Sequence, residues 1–549
     1  MSKRILAAVF AAVLSLSVLG GCGNGGSSST PASSGDFSKE ASSTPASQAA
    51  EDYTPTFPIV SEPVTFTAAT TTENMADTLW YKAYAEATNV NIEWQYWSDW
   101  DTQIGVAMAG DSLPDMTFNL WLSGVDKTTM AQYGGAGKLV DYSKYLNIMP
   151  NLSALFEEYP ESRLAVSNED GSMYGLPGYL ETLTAFNGTL FYRTDMFEEA
   201  GVSEPKTTDE LLEAVKTVQA YFSAKDPDFV ALMPYNTWAM SGHLDTLLFP
   251  AFGDAVDLDF GATDGKTVTF NRISDQYRHY LEYLHELYTS GGFYQEVFSE
   301  DGTNTKPLIV GNHCAMTTYG TMYTADNFAS GNYDVDMLAP LTSQYSSTQK
   351  YGKAYNSRLT PSMISSDCKD VETLLKWVDA LYAPEDNPIA DGVSSISMWL
   401  GVKGTDWDYD DDTHQTYTIN VPADYDGAAT NYLAQYGLSN AFNCIFTSLN
   451  SSSLGLLCKG EGTRDKLLPY AVSVFPSNYF TLSSEDSSRF AEVYTDISTY
   501  VSESYASFVL NGVTDDAWSS YVAQIEKMGI SDAVAIYQDA YDRYLADLG

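Results

Sequence analysis

Short apolar segments alternate with longer amphipathic segments along most of the chain. Apolar, β-branched and aromatic residues at 64–68, 90–96 and 189–193 predict strands, whereas the spacing of apolar residues at 78–88 predicts a helix. Strands that alternate with helices are typical of α/β proteins, in which the sheets are mainly parallel. The hydrophobic pattern therefore predicts an α/β architecture.

Further helical patterns occur from residue 207 to the C-terminus. Thr207 and Glu210 form a capping box, in which Glu210 is expected to accept a hydrogen bond from the Thr207 amide. Further amphipathic helices are predicted at 276–288, 371–382, 487–510, 515–528 and 531–548. The last three predict a helical C-terminal part.

The length of this pattern predicts more than one folded lobe. A single sheet rarely organises roughly 500 residues, and clefts between lobes are favoured places for ligands. The length therefore predicts two α/β lobes.

The N-terminus has the pattern of an export signal. Lys3 and Arg4 precede an apolar run at 5–19, which is shorter than the roughly 18–20 residues that span a bilayer. The sequence LGGC at 19–22 resembles the lipobox of bacterial lipoproteins. That resemblance implies cleavage before Cys22, so that 1–21 is a signal peptide, and lipid attachment to Cys22. An ordinary secretory signal that contains a cysteine is the alternative.

Residues 22–52 predict a flexible tether. They are rich in Gly, Ser, Thr, Pro and Ala, and STPAS occurs at both 29–33 and 43–47. Such a segment cannot bury enough apolar surface to order itself. About thirty flexible residues reach on the order of 30 Å. The sequence thus predicts a body held at the outer face of the cell membrane.

Charge excludes two classes of partner. The chain has 72 Asp and Glu residues against 28 Lys and Arg, a formal net charge of −44. Loss of 1–21 would leave 26 basic against 72 acidic residues, a charge of −46. Nucleic acids and anionic lipid surfaces are bound through clustered cations, so we expect neither as a partner. A hydrophobic content of 44% argues against disorder of the whole chain.

Several segments, in order along the body, resemble one family. They are AGDSLPD at 109–115, DGSMYGLP at 170–177, FYRTD at 191–195, GVSEPKTTDEL at 201–211, GNHCAM at 311–316, ISSDCK at 364–369 with Trp377 and Asp379 after it, and GVKGTDW at 401–407. The set is similar to carbohydrate-type extracellular solute-binding proteins of ABC importers, which include maltose-binding-like proteins.

The resemblance implies a fold and a function. The fold would be two-lobed, periplasmic-binding-protein-like and of type II, with hinge crossovers between the lobes. On this basis we predict that lobe 1 contains residues 53–184 and 357–440 and that lobe 2 contains residues 185–356 and 441–549. The protein would be a monomer without a catalytic residue. It would close on an oligosaccharide or related sugar and deliver it to ABC permease subunits in the membrane.

Candidate ligand residues follow the predicted strands of both lobes. Aromatic rings can cover the C–H faces of a sugar, while amides, carboxylates and Arg bind its hydroxyls. By resemblance, the loop after the first predicted strand contacts the ligand, and Arg358 lies near the expected return crossover between the lobes. The candidates are Thr72, Glu73, Asn74, Trp97, Asn119, Trp121, Tyr235, Trp238, Tyr319, Tyr323 and Arg358. Each of them is also compatible with a surface loop or with core packing.

No cofactor is predicted, although calcium stays open. Asp406, Asp408 and Asp410 have the spacing of a calcium loop, but positions six and twelve of that loop are Asp411 and Tyr417 rather than Gly and Glu. A solvated acidic loop is the simpler interpretation.

Two functional alternatives and one redox question also stay open. A non-sugar solute such as a peptide would fit the same fold. The many carboxylates leave a lipid-anchored glycoside hydrolase as a further alternative. Cys444 and Cys458 are compatible with a disulfide or with free thiols.

Overall fold

The computed structural model describes most of the body of the protein. The described residues are 53–118, 125–180, 190–237, 240–318, 335–353, 357–384, 387–394, 396–409, 417–422, 425, 432–436, 443–444, 466–480 and 482–548. The predicted signal peptide, lipidation site Cys22 and nearly all of the predicted tether lie outside them. Within them, no helix is both long enough and apolar enough to cross a membrane.

The strands are short and spread over the whole body. They are β1 Val64–Thr70, β2 Val90–Tyr96, β3 Met116–Phe118, β4 Leu176–Leu180, β5 Phe191–Arg193, β6 Val230–Met233, β7 Phe260–Gly261, β8 Thr269–Phe270, β9 Cys314–Thr317, β10 Val335–Met337, β11 Tyr351–Lys353, β12 Ser357–Thr360, β13 Trp407–Tyr409, β14 Tyr417–Ile419, β15 Asn443–Cys444 and β16 Ala471–Ser473. The strands predicted at 64–68 and 90–96 are thus confirmed.

The helices are longest at the C-terminus. They are α1 Leu79–Thr88, α2 Trp100–Ala109, α3 Lys127–Gly135, α4 Pro150–Glu158, α5 Pro160–Val166, α6 Thr194–Glu199, α7 Thr208–Ser223, α8 Asp245–Leu248, α9 Asp275–Thr289, α10 Thr305–Val310, α11 Val371–Ala380, α12 Ser397–Leu400, α13 Ser484–Asn511, α14 Asp515–Lys527 and α15 Ile530–Leu548. The predicted helical C-terminal part is confirmed.

Capping side chains explain two differences from the predicted elements. The Thr207 hydroxyl accepts a hydrogen bond from the Glu210 amide at 3.1 Å, as a capping box requires. The Glu210 carboxylate, however, reaches one residue further back and accepts from the Lys206 amide at 2.7 Å. Helix α13 begins three residues before the predicted start because the Ser483 hydroxyl accepts from the Asp486 amide and caps the helix there.

The sheets are less uniformly parallel than the sequence predicted. In the order β2-β1-β3, all pairs are parallel. In the order β10-β5-β9-β6, only β6 and β9 are parallel, because β5 runs antiparallel to both of its neighbours. The expectation of mainly parallel sheets is therefore wrong for this second sheet, which is mixed.

Buried apolar residues form two core clusters. One draws on residues between 66 and 176 and between 359 and 436, together with Tyr479. The other draws on residues between 190 and 351 and between 467 and 541. We call 53–180 with 357–436 lobe 1, and 190–353 with 466–548 lobe 2. Each sheet lies in one cluster, so each lobe has its own core.

The chain passes between the lobes beside a small sheet. β4 pairs antiparallel with β12 and parallel with β15, and these strands precede or follow the changes from one cluster to the other. A 3₁₀ turn at Ser477–Tyr479 contacts both α5 of lobe 1 and α15 of lobe 2. The lobe bounds predicted at 184, 356 and 440 fall in or beside segments outside the described residues, and they stay predictions.

Candidate ligand-binding site

Three parallel strands of lobe 1 end at one edge of their sheet. Thr70, the last residue of β1, aligns with Tyr96 at the end of β2 and with Phe118 at the end of β3. The Trp97 amide donates to the Thr70 carbonyl at 2.9 Å, which ties the chain after β2 to the end of β1. The loops after these strands therefore leave from one edge, the place where open α/β sheets bind ligands.

The loop after β1 presents polar groups at this edge. The Thr72 amide donates to the Thr70 hydroxyl at 3.2 Å. Asn74 has a left-handed backbone with φ of 57° and leads into a 3₁₀ turn at Met75–Asp77. Thr72 is half-buried, whereas Glu73 and Asn74 are exposed. Their position agrees with a ligand-contacting loop, and the contact itself stays a prediction.

Trp97 lies in the core of lobe 1. Its side chain is only 8% exposed and packs against Trp100, with ring centroids 5.5 Å apart. Tyr96, the preceding residue, is 48% exposed. Strand alternation ends at Tyr96, so the sequence pattern did not show which of the two rings would face solvent. Trp97 as a ligand contact stays a prediction, but Tyr96 offers more surface at this edge.

Two parallel strands of lobe 2 present Tyr235 in a similar way. Met233 in β6 aligns with Thr317 in β9, so that the chain leaves both strands at one edge. The Tyr235 amide donates to the buried Thr318 hydroxyl at 3.3 Å. The Tyr235 side chain is half-buried. A tyrosine therefore follows a parallel strand at the sheet edge, and its contact with a ligand stays a prediction.

Most of the other predicted ligand residues lie outside the described residues. These are Asn119, Trp121, Trp238, Tyr319 and Tyr323. Arg358 is described only through its backbone, which pairs with Gly178 in the small sheet beside the crossings between the lobes. Arg358 as a ligand contact near the return crossover stays a prediction.

A cavity of about 510 Å³ lies between the lobes. Its lobe 1 wall includes the first turn of α3, and its lobe 2 wall includes the start of α13. At its wall, the hydroxyl oxygens of Thr128 and Ser487 lie 3.3 Å apart and connect the two lobes. The Lys127 ammonium donates to the Leu164 carbonyl at 3.2 Å, and burial lowers the pKa of Lys127 to about 8. Sequence reasoning did not identify these residues.

A larger cavity of about 930 Å³ lies elsewhere. Its walls come mainly from lobe 2 and include β16 and the end of α15, and Lys350 forms a 2.7 Å ion pair with Asp254 at its rim. None of the predicted ligand residues lines it. The predicted ligand residues follow the ends of parallel strands, away from this cavity. We therefore place the candidate site at the two sheet edges where those strands end.

The described residues contain no cluster of side chains suited to a metal ion. No three His, Cys, Asp or Glu side chains among them lie close enough to hold a metal ion. Cys314 and Cys368 are buried free thiols, and the side chains of Cys444 and Cys458 fall outside the described part of the chain. Both buried thiols pack in the core. Burial raises the pKa of the Cys314 thiol to about 12.

The chain matches the family of bacterial extracellular solute-binding proteins over residues 69–388. It belongs to this family, which confirms the resemblance found in the sequence motifs. The family consists of solute-binding transport proteins rather than enzymes, and its members are extracellular.

Individual relatives are similar over nearly the full length. The fructooligosaccharide ABC transporter substrate-binding protein FusA of Streptococcus pneumoniae serotype 4 is 26% identical over 563 residues, which cover 97% of each chain. The structure of S. pneumoniae FusA in complex with kestose has a TM-score of 0.70 and 22% identity, and covers 88% of this chain and 100% of that chain.

A second solved structure is similar to this chain over most of its length. An HMO-binding, ABC-transporter-associated solute-binding protein from Bifidobacterium longum infantis has a TM-score of 0.66 and 19% identity, with 88% of this chain and 99% of that chain covered. These structural likenesses establish the fold. The predicted two-lobed, type II solute-binding fold is confirmed.

Proposed function

We propose that this protein is the lipid-anchored substrate-binding component of an ABC importer, and that it captures an oligosaccharide between its two lobes. The observation that carries the proposal is the placement of polar and aromatic side chains where parallel strands end in both lobes. Glu73 and Asn74 are exposed at the lobe 1 edge, and Tyr235 follows β6 at the lobe 2 edge. A sugar needs both kinds of partner.

A neutral oligosaccharide is the first ligand to test. FusA, whose name gives fructooligosaccharide as its substrate, aligns with this chain over 97% of both lengths. The predicted mature charge of −46 disfavours an anionic ligand at long range, since like charges repel. Lys127 and Arg358 are local cations that would be needed to admit an acidic sugar.

The proposed mechanism is closure of the lobes, without a chemical step. β4 and β12 accompany the chain where it passes between the lobes, so rotation there would bring the two sheet edges together around the ligand. The loaded protein would dock as a monomer on membrane permease subunits, while other chains hydrolyse ATP. Cys22 would carry the lipid that keeps the body at the outer face of the membrane.

Calorimetry on the mature body tests the ligand class. We would titrate kestose, a neutral glucan oligosaccharide, an acidic oligosaccharide and a peptide mixture, and record thermal unfolding beside each titration. A true ligand at a hundred times its Kd adds about 2.7 kcal/mol of stability. Binding of a glycan without release of cleaved sugar is expected. Binding of peptides alone, or steady sugar cleavage, would overturn the proposal.

Tyr235→Ala links that binding to the proposed site. The substitution removes a ring at the lobe 2 edge and is expected to weaken glycan binding by about tenfold or more. Tyr221→Ala is the matched control, because Tyr221 is 37% exposed and lies on α7 of the same lobe, outside the segments that follow β6 and β9. Equal affinity of both variants for the glycan would place the ligand elsewhere.

A further inference from the structure

The loop at 300–305 is built around a buried carboxylate. Glu300 is 4% exposed and accepts hydrogen bonds from the Gly302 amide at 2.9 Å and from the Asn304 amide at 3.0 Å. Its second oxygen accepts from Asn304 Nδ2 at 3.0 Å and from the Tyr294 hydroxyl at 3.2 Å. Burial alone would raise the pKa of Glu300, but these donors outweigh it and hold the pKa below its ordinary value. The ionised side chain therefore fixes the shape of the loop.

This loop also holds the segment that contains Tyr235. The Thr237 amide donates to the Glu300 carbonyl at 3.1 Å, and the Thr237 hydroxyl donates to the Val297 carbonyl at 2.6 Å. The Thr305 hydroxyl donates to the Tyr235 carbonyl. The backbone on both sides of residue 236 is thus bonded to the loop and its flanks.

Gly302 lies directly against the ring of Tyr235. A Cβ atom added at Gly302 would lie 2.5 Å from the Tyr235 hydroxyl oxygen and from its Cζ. Carbon contacts are comfortable at about 3.5–4.0 Å, so any larger residue would push the ring by roughly 1 Å. Gly302 also has φ of 102°, a conformation that favours glycine. Both its space and its backbone therefore require glycine.

We propose that residues 300–305 are a positioning element for Tyr235, in which Glu300 holds the loop and Gly302 seats the ring. Neither residue needs to touch the ligand. They act by fixing where the tyrosine ring meets a sugar, and so they set the affinity and the selectivity of the lobe 2 edge. This inference rests on the proposed function, because it takes Tyr235 as a sugar contact.

Two glycine-to-alanine variants distinguish an effect on the position of the Tyr235 ring from an effect of backbone strain alone. Gly302→Ala is compared with Gly291→Ala, because Gly291 has φ of 84° but nothing within 4 Å of an added Cβ. Kestose binding is measured by calorimetry. We expect Gly302→Ala to raise the Kd by about tenfold and Gly291→Ala by less than about twofold. Equal effects of the two variants would overturn the positioning role.

A double-mutant cycle assigns the effect to Tyr235. In a Tyr235→Ala background, Gly302→Ala no longer has a ring to displace, so its further effect on the kestose Kd should fall below about twofold. A full tenfold effect in that background would overturn the inference. Glu300→Gln, which keeps the size of the side chain but removes one acceptor, is the second variant if Gly302→Ala does not fold.

A ligand-free measurement distinguishes failure of this inference from failure of the proposed function. 3-Fluorotyrosine is placed at position 235 and its ¹⁹F signal is recorded without sugar. Gly302→Ala and Glu300→Gln should move the signal by more than its linewidth, whereas Gly291→Ala should not. If kestose and the other glycans do not bind the wild-type protein, the proposed function fails while this signal still decides the positioning role. An unmoved signal would refute that role.

Discussion

The hydroxyl oxygens of Thr128 and Ser487 lie 3.3 Å apart and join helices that belong to different lobes. Thr128 is in the first turn of α3, and Ser487 is in the first turn of α13. The contact lies at the wall of the 510 Å³ cavity between the lobes. Movement of one lobe against the other at this contact would change the distance between these two hydroxyl oxygens.

A reversible cross-link at this contact should control ligand entry. In the variant Thr128→Cys with Ser487→Cys, oxidation would form a disulfide that holds α3 against α13. If ligand entry requires the lobes to move, the association rate for kestose should fall at least about tenfold on oxidation and recover on reduction. Stopped-flow fluorescence measures the rate, and each single cysteine variant is the control. An unchanged rate in the cross-linked protein would show that these helices do not separate during binding.

Asp245 should make stability fall as the pH rises. Its Oδ1 accepts hydrogen bonds from the Tyr280 hydroxyl and, at 2.8 Å, from the Tyr505 hydroxyl. Burial raises the pKa of Asp245 to about 7, whereas the unfolded value is about 3.9. Between these values the folded state retains a proton that the unfolded state has lost. The contribution of Asp245 to stability is therefore present at low pH, declines through this window and levels off above about pH 7.

The variant Asp245→Asn tests this pH dependence. Asn keeps an acceptor for both hydroxyls but does not titrate, so its stability relative to wild type should rise by roughly 2 kcal/mol between pH 5 and pH 7. Urea unfolding at both pH values measures the difference. Burial also raises the pKa of Asp257 and Asp379 to about 7. These two residues therefore make the unfolding free energy depend on pH in the same way in the wild type and in the variant. Exposed Asp539→Asn is the control, and a difference that does not change with pH would contradict the prediction.

Calcium should not stabilise the protein through Asp406. Asp406 is 1% exposed, and its Oδ2 accepts from the Val402 amide at 2.7 Å and from the Tyr436 hydroxyl at 2.6 Å. Its Oδ1 accepts from the Tyr432 hydroxyl at 2.5 Å. The first carboxylate of the candidate calcium spacing thus has protein donors on both oxygens. We expect millimolar calcium, added after EGTA treatment, to leave the unfolding temperature unchanged.

A matched pair of variants completes that experiment. Asp406→Asn replaces an acceptor with a donor and should cost about 1–3 kcal/mol of unfolding free energy. Asp408→Asn, at an exposed position two residues away, should have an effect near zero. A calcium-dependent rise of the unfolding temperature that Asp406→Asn abolishes would instead establish a metal site there.

Cys22 should decide whether the protein stays at the membrane. Lipid on Cys22 is expected to hold the mature chain at the cell surface, whereas Cys22→Ser should release it into the medium. Fractionation and labelling with a palmitate analogue measure the two outcomes, and Ser29→Ala in the predicted tether is the control. Retention of unlabelled Cys22→Ser protein in the membrane fraction would contradict lipid anchoring.

Local signals in the sequence located the main elements but not their surroundings. Thr207 was recognised as a helix cap because the capping bond spans only three residues, and the structure places that bond at 3.1 Å. The mixed sheet of lobe 2 was not predicted, because strand direction depends on which distant strand pairs with β5. Trp97 was placed among the ligand candidates, and only packing against Trp100 showed that its ring is buried.

The sequence by itself determined the kind of protein. Motifs in a fixed order indicated an extracellular solute-binding protein, and alternating strands and helices gave its α/β class, because such signals depend on residues that are near one another in the chain. The tertiary structure alone decided which side chains support the site. The Tyr235 carbonyl meets the Thr305 hydroxyl across 70 positions, and Thr128 meets Ser487 across 359. Contacts over such separations leave no local pattern, because they exist only once the chain has folded.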